Sequence, residues 1–224
     1  MTGAAITFWG HGSPNPHKVA IALEELGLPY EARIVDTAAG EQHEPWFAAM
    51  SPNAKVPVIQ DAETGRTLYE SNAILLYLAD KAARLVPPAE TAETAERDEA
   101  LQLLFLQASA VGPMFGQRAW FSLFAPDKPA YALERYRAEG HRLETVLDRL
   151  LDGRDHFLAS GYSIVDIAFF GWVWCATHQG FAIDDHPRLS RWYDRVAARP
   201  AVRKGVTVPL PLPDFAPYRA APAL

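Results

Sequence analysis

The chain has 224 residues, 49% apolar and 21% charged, with a formal net charge of −6. That suits an ordinary globular protein of one large domain or two small ones. The acidic balance, without any Lys/Arg run, argues against nucleic acid and anionic membranes as partners.

One cysteine, Cys175, excludes an internal disulfide and a multi-cysteine zinc site. The longest strongly apolar run, 167–176, is too short to span a bilayer. The opening "MTGAAITFWG" lacks the basic region of a signal peptide. These features predict a cytoplasmic protein.

In chain order, a strand over 6–9 leads through "GHGSPNP" into a helix. Asn15 is placed as N-cap, Pro16 as first helical residue and Gly27 as the stop. Val19, Ala22, Leu23 and Leu26 recur at helical spacing. "YEARIVD" (30–36) alternates as a strand, and an irregular stretch follows. "KVPVIQD" and "TLYE" then read as two short strands joined by a turn, and Ser71 caps a helix over 72–83. The order is β-α-β, then β-β-α, with room for an extra helix. "RLVPPAETAET" (84–94), broken by two prolines, reads as a linker. Beyond it the pattern is all helical, over 95–124, 130–151, 164–178 and 188–198. The tail from Thr207 carries five prolines and is expected to lie extended. The predicted division is therefore 1–83, a linker 84–94, and an all-α part 95–224.

The first loop admits two readings. "GHG" after a strand, with Asp36 ending the next strand, suggests dinucleotide binding. The third glycine of that fingerprint would have to stand at Asn15, and no further β-α repeats follow. A thioredoxin-like arrangement fits the element order better. Proteins of that shape often carry C-x-x-C at this helix N-terminus, where this chain has Ser13-Pro14-Asn15-Pro16. Any thiol chemistry here must use a sulfur brought by a bound molecule, and a cytosolic thiol with anchoring carboxylates is glutathione.

"NAKVPVI" (53–59), "YESNAILLYLAD" (69–80) and "GYSIVDIAFF" (161–170) resemble the glutathione transferase superfamily. "SPNPHKV" (13–19), "SPNAKVP" (51–57), "VGPMFGQ" (111–117) and "YALERY" (131–136) look most like its bacterial Nu class and the related fungal nitrogen regulators. The resemblance implies a thioredoxin-like N-terminal domain, an all-helical C-terminal domain, a homodimer, and glutathione as co-substrate without a metal.

It also implies roles for particular residues. Ser13 and Asn15 would stabilise the thiolate. Lowering a thiol pKa from about 8.5 by two units takes roughly 2.7 kcal/mol. A hydrogen bond to a charged group gives about 1.5–3 kcal/mol and a helix N-terminus about 0.3–1. Capping alone also accounts for Asn15. Pro16 stands where the class commonly has glycine and removes a backbone donor. Val56, ahead of Pro57 in a turn like the family's cis-proline turn, would pair with the tripeptide backbone. Glu70 would meet the γ-glutamyl ammonium and Ser71 its carboxylate. Gln42 and Lys55 would reach the glycyl end or the backbone, and Arg135 would reach glutathione from the helical part. Each of these three also reads as a surface residue.

Ser163 and Asp166 read as an S-x-x-D capping box, so Asp166 is structural. Met114, Phe115, Trp120, Phe121 and Phe124 are either a pocket for an apolar co-substrate or core. His11, His17 and His43 read as bystanders, and Cys175 as a buried thiol. Two reactions compete on this reading: reduction of small disulfides through bound glutathione or glutathione disulfide, and conjugation of glutathione to an apolar electrophile. A non-catalytic glutathione-binding regulator is the third alternative.

Overall fold

The computed structural model describes residues 5–88 and 94–219. β1 (Ile6–Gly10), β2 (Tyr30–Ile34), β3 (Val58–Asp61) and β4 (Arg66–Tyr69) form one sheet in the order β2-β1-β3-β4. β1 pairs parallel with β2 and antiparallel with β3, which pairs antiparallel with β4. A parallel pair needs a crossover, and α1 (Pro14–Leu26) supplies it. The possible extra helix is real: a 3₁₀ turn, Glu41–His43, leads into α2 (Pro45–Ala48). α3 (Ser71–Ala82) completes this thioredoxin-like half.

The rest is helical. α4 (Thr94–Leu106) and α5 (Gly112–Ala119) are joined by a π-helical turn, Gln107–Val111, and a second π turn, Trp120–Phe124, follows. Pro113 follows the first π turn, where its ring and missing N–H disturb a regular α ladder. α6 (Ala130–Leu150), α7 (Ile164–His178), α8 (Pro187–Ala197), α9 (Pro200–Gly205) and α10 (Ala216–Arg219) follow. Of the predicted linker, residues 89–93 lie outside the described residues.

α1 packs against α3, α7 and α9 at once, so it is buried nearly all round and one apolar core runs through both halves. Gly171 permits the α1–α7 approach: a Cβ there would meet Lys18 Cγ at 2.7 Å and the carbonyl oxygen of Pro14 at 2.9 Å. α7 begins on the predicted capping box. Ser163 is its N-cap and Asp166 accepts the Ser163 N–H at 2.9 Å. The Asp166 carboxylate also accepts the Trp192 indole N–H at 2.8 Å and is fully buried, so its capacity is spent on structure.

Three local expectations are corrected. Ser13, not Asn15, is the N-cap of α1, and Pro14, not Pro16, opens the helix. Pro14 has the φ that a first helical residue needs and pushes Ser13 into extended backbone, leaving Asn15 inside the first turn. Likewise Glu70 is the N-cap of α3 and Ser71 its first residue. Finally, the strand expected over 55–61 starts only at Val58, because Pro57 has no N–H for the ladder.

The tail does run extended, over 210–215, between α9 and α10. It crosses the β1–α1 loop, where a Cβ on Gly12 would collide with the carbonyl oxygen of Pro211.

Candidate active site

A cavity of about 370 Å³ opens between the N-terminus of α1, the turn before β3, the start of α3 and the first π turn. Of the residues singled out from sequence, Asn15, Lys55, Val56, Pro57, Glu70 and Ser71 line it. The Val56–Pro57 bond is cis. Ser51, buried beneath this turn, fixes it by donating its hydroxyl to the Lys55 carbonyl at 2.9 Å. Glu70 has φ +66°, a conformation costing about 1–3 kcal/mol in a non-glycine residue. It stands immediately before the free N–H groups of α3's first turn. The wall thus offers an exposed carboxylate, a lysine ammonium and a helix N-terminus to one ligand. These complement a zwitterionic molecule with an ammonium and separate carboxylates.

The structure does not bring three predicted residues to this wall. Ser13 sits beside it at the α1 cap, and its side chain makes no capping bond. Gln42 lies in the 3₁₀ turn, where its Oε1 is buried without a hydrogen-bond partner. Arg135 is exposed on α6 and lines a second cavity of about 640 Å³ with Met114, Glu139 and Arg142. The aromatic cluster disperses. Phe115 is buried under the Arg118 guanidinium, Phe121 stacks on Tyr136 with centroids 5.3 Å apart, and Phe124 packs on Phe215 and Tyr218. Trp120 is half exposed, and Met114 alone of the five lines either cavity.

Sequence reasoning missed two lining residues of chemical interest. Trp172 on α7 donates its indole N–H to Asn15 Oδ1 at 3.0 Å. Lys18, one turn beyond Asn15, is fully buried and donates to Gln107 Oε1 at 2.7 Å. Burial lowers its pKa to about 7, against a smaller opposing pull from the Glu70 carboxylate. His17 is no bystander. Its Nε2 donates to the Leu210 carbonyl at 2.8 Å, tying the tail to α1. Cys175 is buried, and desolvation pushes its thiol up to about 12.

Away from the cavity, His141, Glu144 and His186 bring ligand-type atoms within 4.8 Å of one another. Glu144 already accepts from the buried Arg118 at 2.7 Å, and this guanidinium supplies the positive charge a cation would.

Residues 12–81 match the glutathione S-transferase N-terminal domain and residues 111–200 its C-terminal domain. The chain belongs to the glutathione S-transferase family. Disulfide-bond oxidoreductase YfcG of Escherichia coli is 41% identical over 194 residues, covering 84% of this chain and 88% of that protein. A glutathione transferase from Burkholderia graminis, solved with two glutathione molecules per subunit, superposes with a TM-score of 0.86. It shows 39% identity, with 92% and 89% of the two chains covered. One from Pseudomonas putida, solved with one glutathione disulfide per subunit, gives a TM-score of 0.85. Its identity is 36%, with 92% of each chain covered. The transferase fold explains the mixed grammar of the sequence: the cavity lies where its thioredoxin-like and helical halves meet. Among the described residues no helix is long and apolar enough to cross a membrane.

Proposed function

We propose that this transferase reduces small disulfides with glutathione, using the 370 Å³ cavity. The observation that carries the reading is the oriented amide of Asn15. Trp172 can only donate, so Oδ1 of Asn15 is the accepting atom and Nδ2 remains to donate to a sulfur. The one protein thiol, Cys175, is buried and held protonated, so both reacting sulfurs must be the ligands' own.

In that reaction a glutathione thiolate attacks one sulfur of the substrate disulfide. The S–S bond breaks and the leaving thiolate takes a proton. A second glutathione then attacks the mixed disulfide and releases the second thiol. The substrate gains two electrons, and two glutathiones become one glutathione disulfide. Val56 holds the tripeptide backbone, Glu70 and Ser71 its γ-glutamyl end, and Lys55 a carboxylate. Asn15 stabilises the thiolate, and Ser13, beside the wall at the α1 cap, would join it only after its side chain turns toward the cavity. Gln42 and Arg135 would meet the outer parts of the ligand only after their side chains turn toward the cavity. The relatives solved with two glutathiones or with glutathione disulfide support a site that can hold both sulfurs.

The same reading assigns the chain to the Nu class as a cytoplasmic homodimer, divided at 1–83, 84–94 and 95–224. The separate matches at 12–81 and 111–200 support the division. A pool of reduced glutathione is what the chemistry requires of the compartment. Turnover with 2-hydroxyethyl disulfide beside chlorodinitrobenzene, at equal glutathione, tests the reaction. Faster disulfide reduction is expected. Strong conjugation without disulfide reduction would leave a conjugating transferase, and binding without either turnover a regulator.

A further inference from the structure

We propose that Lys18 is the cation of the thiol site: its amine takes the proton that a bound glutathione gives up, and the resulting ammonium holds the thiolate. The inference rests on the glutathione reading above and adds a charge that hydrogen bonds from Ser13 and Asn15 do not provide.

Asn15 and Lys18 are three positions apart on α1, which puts them on one helix face, and both line the cavity. Lys18 is only 1% exposed, and among the described residues no carboxylate lies within ion-pair distance of it. Its Nζ donates to Gln107 Oε1, an oxygen that Asn72 Nδ2 also reaches at 2.9 Å. An ammonium has three N–H donors, so this contact fixes Lys18 in place but leaves the charge unanswered. Glu70, exposed at the head of α3, is the charged group acting on it. From the other elements packed against α1, Gln107 of the π turn, Asn72 of α3 and Gly171 and Trp172 of α7 are uncharged, while α9 carries Arg203 and Lys204, the latter paired with Glu24 at 2.9 Å.

A buried lysine without a counter-ion is normally selected against, since the desolvation of its charge goes uncompensated. A ligand that brings a negative charge to the same cavity compensates it. Burial places the free amine near neutrality at about 7, below the ordinary thiol pKa of about 8.5. With an ammonium and a thiolate sharing a water-poor site, each ionisation favours the other. The S–H bond breaks, an N–H bond forms on Lys18, and no proton is exchanged with solvent. Lys18 thus receives the reacting proton itself and then holds the thiolate by charge, as an acid–base group of the site.

The test reads thiolate ultraviolet absorbance and proton release together as glutathione binds. At about pH 8, above the Lys18 value of about 7 and below the thiol's ordinary 8.5, thiolate should form with far less than one proton released per glutathione. At about pH 6, where Lys18 is already charged, the same thiolate should release close to one proton. Thiolate formation with near-stoichiometric release at both pH values would overturn the proposal, and this measurement needs no variant. Lys18→Met, with Lys18→Gln as the variant that keeps a contact to Gln107, should lose about tenfold in bound thiolate at about pH 8. Both should still bind S-methylglutathione, which has no thiol to ionise. Undiminished thiolate in either folded variant also overturns it. If the parent binds neither glutathione nor S-methylglutathione, the glutathione reading itself falls and takes this inference with it.

Discussion

Trp172 and Asn15, 157 positions apart, are joined by a 3.0 Å hydrogen bond from the indole N–H to the amide oxygen. The bond reaches from α7 to the first turn of α1, so the helical half sets the orientation of an amide held by the other half. An Asn free to flip would present either end to a sulfur. This one presents its donor.

Trp172→Phe keeps most of the packing and removes only that donor. A neutral hydrogen bond is worth about 0.5–1.5 kcal/mol, so kcat/KM for disulfide reduction should fall about two- to tenfold. Affinity for S-methylglutathione should hold. An unchanged kcat/KM would show that the amide is oriented by something else.

Asn15→Ala should cost much more activity than Ser13→Ala. The Ser13 side chain caps nothing in this structure, whereas losing Asn15 removes the sulfur donor and strands the Trp172 N–H. Losing that part-buried hydrogen bond costs about 0.5–1.5 kcal/mol of stability. Turnover at saturating glutathione and urea unfolding of both variants check the two halves of this expectation. Equal and negligible losses of activity would mean that the thiolate is stabilised elsewhere.

Cys175→Ser should retain glutathione-dependent activity within a few-fold of the parent. The thiol is buried, pushed up to about 12 and outside the cavity lining. Burying a hydroxyl in its place should lower stability by about 1–3 kcal/mol. Complete loss of activity in the folded variant would show that a protein thiol takes part.

Lys18 should make the free protein's stability rise with pH. Its folded pKa of about 7 lies below the unfolded lysine value of about 10.4. Between the two the unfolded chain binds more protons, so stability increases across that window. The penalty is complete below about pH 7 and absent above about pH 10. Lys18→Met should therefore be more stable than the parent by a few kcal/mol at about pH 6, with the gap closing toward about pH 10. Urea titrations across that range measure it. A gap independent of pH would rule out a depressed lysine.

Local chemistry made much of this legible in the sequence. The change from mixed to helical grammar near residue 84 follows from periodicity, and the Ser163–Asp166 box from a four-residue pattern. The expectation of Asn15 and Pro16 at the α1 cap fails because "SPNP" holds two cap-type residues, each followed by a proline suited to the first helical position. Sequence pattern cannot rank them, and the structure chooses the earlier pair. Trp172 and Lys18 were illegible for another reason. A tryptophan among Phe170, Val173 and Trp174 reads as core, and a lysine on an amphipathic helix reads as surface. Their roles arise only when α7 closes over α1, and no local signal encodes that contact. His17 was misjudged on the same grounds, since its partner is a backbone carbonyl 193 positions away.

That last bond has a consequence for how the protein is made. His17 and Pro16 leave the ribosome well before Leu210 and Pro211, which lie over the neighbouring loop. At about 5–20 residues per second, a separation of 193 positions leaves roughly ten to forty seconds between the loop and its cover. Trp172 arrives within the same interval, so Asn15 waits for its orienting partner as well. The thioredoxin-like half can therefore collapse early while its thiol-handling loop stays unfinished. The site matures on the schedule of the segments made after it, and a nascent chain stalled before Leu210 would carry Asn15 without the strap that closes over its loop.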